Sequence, residues 1–313
     1  MPRQLSSDRR YRRDASLLTQ GLVILIALGS PRIAAAAAPT FQGTFTSAGM
    51  CSPRGIGLSP SGDVFVGSDC QNPHIVHFTA AGAVVGTWTF PFRYLGSPNG
   101  VAVDGSSNVF VTDYDGAKVL KYTSSGALIT SWGSLSQPVD LAVNGAGDVF
   151  VVELTGKRVQ KFTTSGSPLA VIGSAGTGPG QFQDPTGIAV DAGGRIYVAD
   201  YTRQRILRFL PDGSFDMEFA TPGPPSDMAV GPDGNIYVIR FEVGQVYQYS
   251  SGGVLLQSFG SPAGLDGAYR IAIGPGGTMY IGEQYNTRVS IFQIDQATPG
   301  TPMSFGRLKA LYR

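Results

Sequence analysis

The chain has 313 residues, 42% of them hydrophobic and 14% charged, with 23 basic side chains against 22 acidic ones. Near-neutral charge, with no basic run beyond the N-terminal segment, argues against a nucleic-acid binder. The 43 glycines and 21 prolines suit a large core interrupted by many tight turns rather than disorder.

Residues 1–38 differ from the remainder. Arg3, Arg9, Arg10, Arg12 and Arg13 precede the apolar run Leu17–Leu28, and the small residues Ala34–Ala38 follow. Basic, apolar, then small is the layout of a secretory signal peptide, with cleavage expected near Ala36–Ala38. The apolar run of about 12 residues is short of the roughly 20 that span a bilayer. The expectation is export to a periplasm or the exterior, with no membrane span after cleavage. This segment holds six basic and two acidic residues, so the remainder carries 17 basic and 20 acidic side chains. Export also permits a disulfide between Cys51 and Cys70, the chain's two cysteines. They precede the first and follow the second strand of the first repeat, at one end of an antiparallel pair.

From residue 39 to 306 the chain repeats one plan. An aromatic-centred triplet recurs as Val64-Phe65-Val66, Val109-Phe110-Val111, Val149-Phe150-Val151, Ile196-Tyr197-Val198, Ile236-Tyr237-Val238 and Met279-Tyr280-Ile281. Six copies at a spacing of about 40–45 residues, rich in β-branched and aromatic residues, predict four-stranded propeller blades. Helical repeats fail, because no copy offers ten residues free of Gly or Pro with a 3.6-residue spacing. The blades start near Pro53, Pro98, Pro138, Pro185, Pro225 and Ala268. In each, strand a has a small central residue (Gly57, Ala102, Ala142, Ala189, Ala229, Ala272) for the crowded channel wall. Strand b carries the triplet, and strands c and d follow. The predicted class is all-β: a six-bladed β-propeller of four-stranded antiparallel blades. Phe41–Phe45 is the favoured strand to complete blade six, and Met303–Gly306 competes for the same slot. Residues 307–313 form a short basic tail.

The copies resemble NHL repeats. The likeness lies in Gly187-Ile-Ala-Val-Asp191, Gly194-Arg-Ile-Tyr-Val-Ala-Asp200 and Arg205-Ile206, preceded by Gly180-Gln-Phe182 and Pro185, and it extends over about residues 50–294. The resemblance implies a six-bladed propeller and leaves the activity open, since such propellers serve both binding proteins and enzymes.

An acid ends strand b in five blades, as Asp69, Asp113, Glu153, Asp200 and Glu283; blade five has Arg240. Five residues later stand His74, Lys118, Arg158, Arg205, Gln245 and Arg288. The plain reading is an ion pair across a repeated turn. The functional reading places the same residues at the channel mouth beside Arg54, Asn99, Asp140, Asp227 and Arg270 from the start of strand a. Asp140, Asp227 and Arg270 stand where NHL repeats usually have Gly, which points to a ligand. The candidate ligand-binding set is therefore Asn99, Asp113, Asp140, Glu153, Asp200, Asp227, Arg240, Arg270 and Glu283.

No cofactor is expected, with Ca²⁺ or another divalent cation as the alternative these oxygens would allow. His74 and His77, three apart on one strand, face opposite ways and leave too few ligands for a catalytic zinc. Amidating lyases and streptogramin lyases resemble the fold but use several histidines that this chain lacks. Gluconolactonase-like propellers hold a metal with channel acids and Asn, and Asn99, Asp140, Glu153, Asp200 and Glu283 could supply such oxygens. The expected function is non-catalytic binding of a protein, peptide or glycan at the channel mouth by a monomer. The alternative is a metal-dependent hydrolase or lactonase.

Overall fold

In the computed structural model, residues 37–90, 98–260 and 264–295 are described. The expected signal segment lies almost wholly outside them, and Met303–Gly306 and the basic tail lie entirely outside.

Glycine-rich turns cut the apolar triplets into short strands, and these pair with their chain neighbours into six four-stranded antiparallel sheets. Blade one comprises Ser52–Leu58, Val64–Asp69, His74–Phe78 and Val84–Thr89; blade two, Pro98–Val103, Val109–Asp113, Lys118–Tyr122 and Leu128–Gly133. Blade three comprises Pro138–Val143, Val149–Glu153, Arg158–Phe162 and Pro168–Ile172; blade four, Pro185–Val190, Ile196–Asp200, Arg205–Phe209 and Phe215–Ala220. Blade five comprises Asp227–Val230, Ile236–Arg240, Gln245–Tyr249 and Leu255–Phe259. Blade six comprises Ala268–Ile273, Thr278–Glu283 and Arg288–Gln293, with Thr40–Phe45 as its outer strand. The six a strands pack in order around one axis, and blade six returns to blade one.

Burial follows from that arrangement. Both faces of a blade lie against neighbours, so the triplet centres are at most 4% exposed. Strand a is crowded: a Cβ added at Gly57 would stand 3.0 Å from Val101 Cγ1. The outer strands instead expose Val84, Val85, Leu128, Ile129, Leu255 and Leu256.

Neighbouring blades interlock through one repeated contact. An outer-strand side chain covers the glycine of the next blade's c–d turn, an aromatic ring over Gly82, Gly126, Gly166 and Gly253 and Ile172 over Gly213. Gly126, at φ 89°, leaves room for the Trp88 ring, which would lie 2.6 Å from an added Cβ. Phe45 covers Gly82 of blade one in the same way, at 3.1 Å. This places the N-terminal strand in the fourth position of blade six, as its sequence distance from blade one predicts. Cys51 and Cys70 form a disulfide with Cα atoms 5.6 Å apart.

Candidate functional site

The register sets the end of strand b beside the start of strand a, as in Pro138↔Glu153 and Pro185↔Asp200. The strand-b acids therefore do lie at one end of the blades, but they turn into their own sheets. Asp113, Glu153, Asp200 and Glu283 are at most 3% exposed. Glu153 accepts from Ser136 N at 2.6 Å and Gln160 Nε2 at 2.9 Å, and it pairs with Arg158. Asp200 accepts from Asp184 N at 2.9 Å and lies 3.5 Å from Arg205. Glu283 meets Asp266 N at 3.2 Å, Asn286 at 2.6 Å and Arg288 at 3.0 Å. Asp113 accepts from Gly116 N at 2.7 Å and lies 3.9 Å from Lys118; burial still raises its pKa.

The ion pair across the turn is thus present in four blades. In blade one Asp69 pairs instead with Arg54, at 3.2 Å. In blade five Arg240 reaches Tyr247 Oη at 3.5 Å. In blades three, four and six these contacts tie the b–c turn to the loop entering the blade, and the acids are more buried than an exposed turn would leave them.

A different set meets on the axis. Counted from the blade starts Pro53, Pro98, Pro138, Pro185, Pro225 and Ala268, the third residue reads Gly55, Gly100, Asp140, Gly187, Asp227 and Arg270. Arg270 is 2% exposed. Its Nε donates to the carbonyls of Arg54 at 2.9 Å and Asn99 at 3.0 Å, Nη1 to Thr186 at 3.2 Å, and Nη2 to Val139 at 2.7 Å. Nη1 also lies 3.7 Å from Asp227 and 3.9 Å from Asp140. One guanidinium of blade six thereby reaches every other blade.

The two aspartates in turn grip the following blades. Asp140 Oδ2 accepts from Ile188 N and Asp227 Oδ2 from Ile271 N, both at 2.9 Å. Glycines make the space: a Cβ at Gly187 would stand 2.6 Å from Asp227 Oδ1, and one at Gly100 would stand 2.8 Å from Asp140 Cα. Burial pushes both carboxyls up. Asp140 adds like-charge repulsion that carries Asp227 well above the usual carboxylate range, and Arg270 opposes the rise in both. Burial also opposes the Arg270 charge, but the two carboxylates outweigh it. Against this closure lies a channel cavity of about 220 Å³, lined by Asp140, Asp227 and Arg270 together with apolar residues of all six a strands.

Among the nine candidates, then, Asp140, Asp227 and Arg270 come together, and the Asn99 backbone joins them. Asp113, Glu153, Asp200, Arg240 and Glu283 remain apart in their own blades. Among the described residues no three His, Cys, Asp or Glu side chains come together as a metal site. The cation among the converging oxygens is Arg270 itself. His74 bonds the Asn72 carbonyl at 2.9 Å, and His77 stacks on Phe65, with ring centroids 4.2 Å apart.

Outside the axial closure is a pocket of about 280 Å³ lined by Arg54, Asn99, Tyr114, Val139, Leu154, Thr186 and Tyr269. Tyr114 and Leu154 immediately follow the strand-b acids Asp113 and Glu153. Tyr201 and Phe241 occupy the same position in blades four and five. Tyr269 and Tyr285 pack on Phe241, with centroids 5.9 and 5.6 Å away. The repeated acids do not point to this aromatic set. Period-two alternation was the available signal: when the last residue of strand b turns inward, the next one turns out.

The family profile described as "NHL repeat" matches residues 182–209. No curated protein matches the chain. Among solved structures, a streptogramin B lyase superposes with TM-score 0.61 at 14% identity, covering 82% of this chain and 98% of its own. Virginiamycin B lyase from Staphylococcus aureus gives TM-score 0.59 at 17% identity, with 82% and 89% covered. A catalytically inactive variant of that lyase with quinupristin gives 0.60 at 17%, with 83% and 90% covered. At these identities the likeness is one of fold.

Proposed function

We propose that this chain, an NHL-repeat six-bladed β-propeller, is a non-catalytic binding module. Its ligand, a protein segment, peptide or glycan, docks on the channel-mouth face around Tyr114, Leu154 and Tyr269. One observation carries the reading. The buried acids are engaged by backbone N–H groups and cations, and Arg270 closes the axis, whereas the mouth pocket presents the Tyr114 and Tyr269 rings beside Arg54 Nε and Asn99 Oδ1, two buried polar atoms without a hydrogen-bond partner among the described residues. Rings beside a few polar groups on a rigid scaffold suit recognition. Export as a monomer fits the N-terminal segment and the disulfide. Among the described residues no helix is long and apolar enough to cross a membrane.

The test is a peptide and glycan array probed with the purified protein and with a Tyr114→Ala/Leu154→Ala variant of unchanged melting temperature. Ligands held by the parent should be lost by the variant. Equal retention would place binding elsewhere.

The second reading is enzymatic, and the structural likeness to lyases favours testing it. A hydrolase or lactonase would show a stoichiometric ion removable only by a chelator. It would also lose lactone turnover in Glu153→Gln or Asp200→Asn. Turnover that follows those substitutions would displace the binding reading.

A further inference from the structure

We propose that the mouth pocket seats a carboxylate carried on a single sugar ring, a uronic acid, with Arg54 taking the carboxylate. The proposal rests on the mouth-binding reading above and names its ligand class. Four observations converge on it.

The first is the state of Arg54. Its Nε lies 3.2 Å from the Asp69 carboxylate, in a contact too bent for a hydrogen bond. Neither terminal nitrogen donates to any acceptor among the described residues. One edge of the guanidinium is thus held, and the edge that grips a carboxylate with two parallel bonds is unclaimed. The second is preorganisation. Tyr269 lies under the Arg54 guanidinium at 5.2 Å and under that of Arg270 at 4.8 Å, which orients Arg54 before any ligand arrives.

The third is the sign and size of the pocket. No acidic side chain lines it, and its volume of about 280 Å³ suits one ring rather than a protein face. Arg270 bonds the backbone carbonyls of four lining residues, Arg54, Asn99, Thr186 and Val139, which holds that wall in place. The fourth is Asn99, which lines the pocket at 7% exposure with Oδ1 lacking any hydrogen-bond partner. An unpaired amide oxygen asks for a donor. A sugar hydroxyl supplies one, and an aromatic acid does not. Tyr114, Leu154 and Tyr269 offer the apolar surface for the ring.

Titration calorimetry with methyl glucuronoside, methyl glucoside and benzoate decides the matter. The expected result is binding of the glucuronoside at least tenfold tighter than the other two. Arg54→Gln should abolish it, Arg54→Lys should weaken it by losing the paired geometry, and Asn99→Ala should weaken it less. The Arg54→Gln protein should keep the parent's melting temperature, and Leu154→Ala, which leaves Arg54 and Asp69 intact, is a second, independent test of the pocket that should also weaken binding. Equal binding of glucoside would overturn the carboxylate, and equal binding of benzoate would overturn the sugar. If none of the three binds while array ligands still depend on Tyr114, this assignment falls and mouth binding stands. If array ligands ignore Tyr114 as well, both fall.

Discussion

Replacing Arg270 by Met keeps an apolar side chain of comparable length on the axis and removes the charge that Asp140 and Asp227 share. The guanidinium donates to four carbonyls and faces two carboxylates. Hydrogen bonds from a charged group contribute about 1.5–3 kcal/mol each, so the gross loss is roughly 6–12 kcal/mol. Water entering the vacated site offsets part of this. Removing one partner of a buried ionic cluster costs about 3–5 kcal/mol in practice, and that is the working figure. At about 2–4 °C per kcal/mol for a large domain, the melting temperature should fall by roughly 6–20 °C.

The cause can be separated from lost packing. Adding Asp140→Asn and Asp227→Asn to Arg270→Met should recover much of the loss, because the unpaired carboxyls go with the cation. In Arg270→Gly the freed carbonyl and carboxylate oxygens should accept a hard cation. Ca²⁺ at a hundred times its dissociation constant would add about 2.7 kcal/mol, read as a calcium-dependent rise in melting temperature absent from the parent. An Arg270→Met variant within about 1 kcal/mol of the parent, or Asn substitutions that deepen the loss, would refute the view that one guanidinium ties the six blades together.

Three other outcomes are expected. Asp227 has its folded pKa raised above that of the unfolded chain, so its contribution to stability is complete in acid and is lost as pH rises through the folded value. Melting curves taken upward from pH about 4 should show a declining component that Asp227→Asn flattens; an identical slope in the variant would contradict this. Reducing the Cys51–Cys70 bridge, which closes a loop of sequence separation 19, should cost about 3 kcal/mol in denaturant titrations; no shift in midpoint would count against it. Gly126→Ala should cost roughly 2–4 kcal/mol, since the residue has φ 89° and its new methyl would strike Trp88. Gly105→Ala, with open space around it, is the control and should lie within about 0.5 kcal/mol.

The blade count and the strand order within each blade were legible in the residues because they rest on local rules; closure by Phe41–Phe45 was only favoured over Met303–Gly306, because it pairs strands from opposite ends of the repeat region. Alternation of apolar side chains, glycine turns and one recurring triplet act over a few residues, so each copy declares its own strands. The disulfide belongs to the same level, since Cys51 and Cys70 flank a single hairpin. The ion pairs across the b–c turn were legible too, at a fixed spacing of five, although Asp69 turned to Arg54 instead.

What the chain could not declare by itself was which polar residues meet. Asp113, Glu153, Asp200 and Glu283 looked equivalent to Asp140 and Asp227 as carriers of a channel-mouth site. Only closing the ring separates them. A side chain at the third residue from a blade's start points to the axis, where all six blades converge. One at the end of strand b lies a strand further out and turns into its own sheet. That single difference in radius makes Arg270 the centre of the axial cluster, and it leaves the mouth pocket, where we propose that the ligand docks, to Arg54, Asn99, Tyr114 and Tyr269.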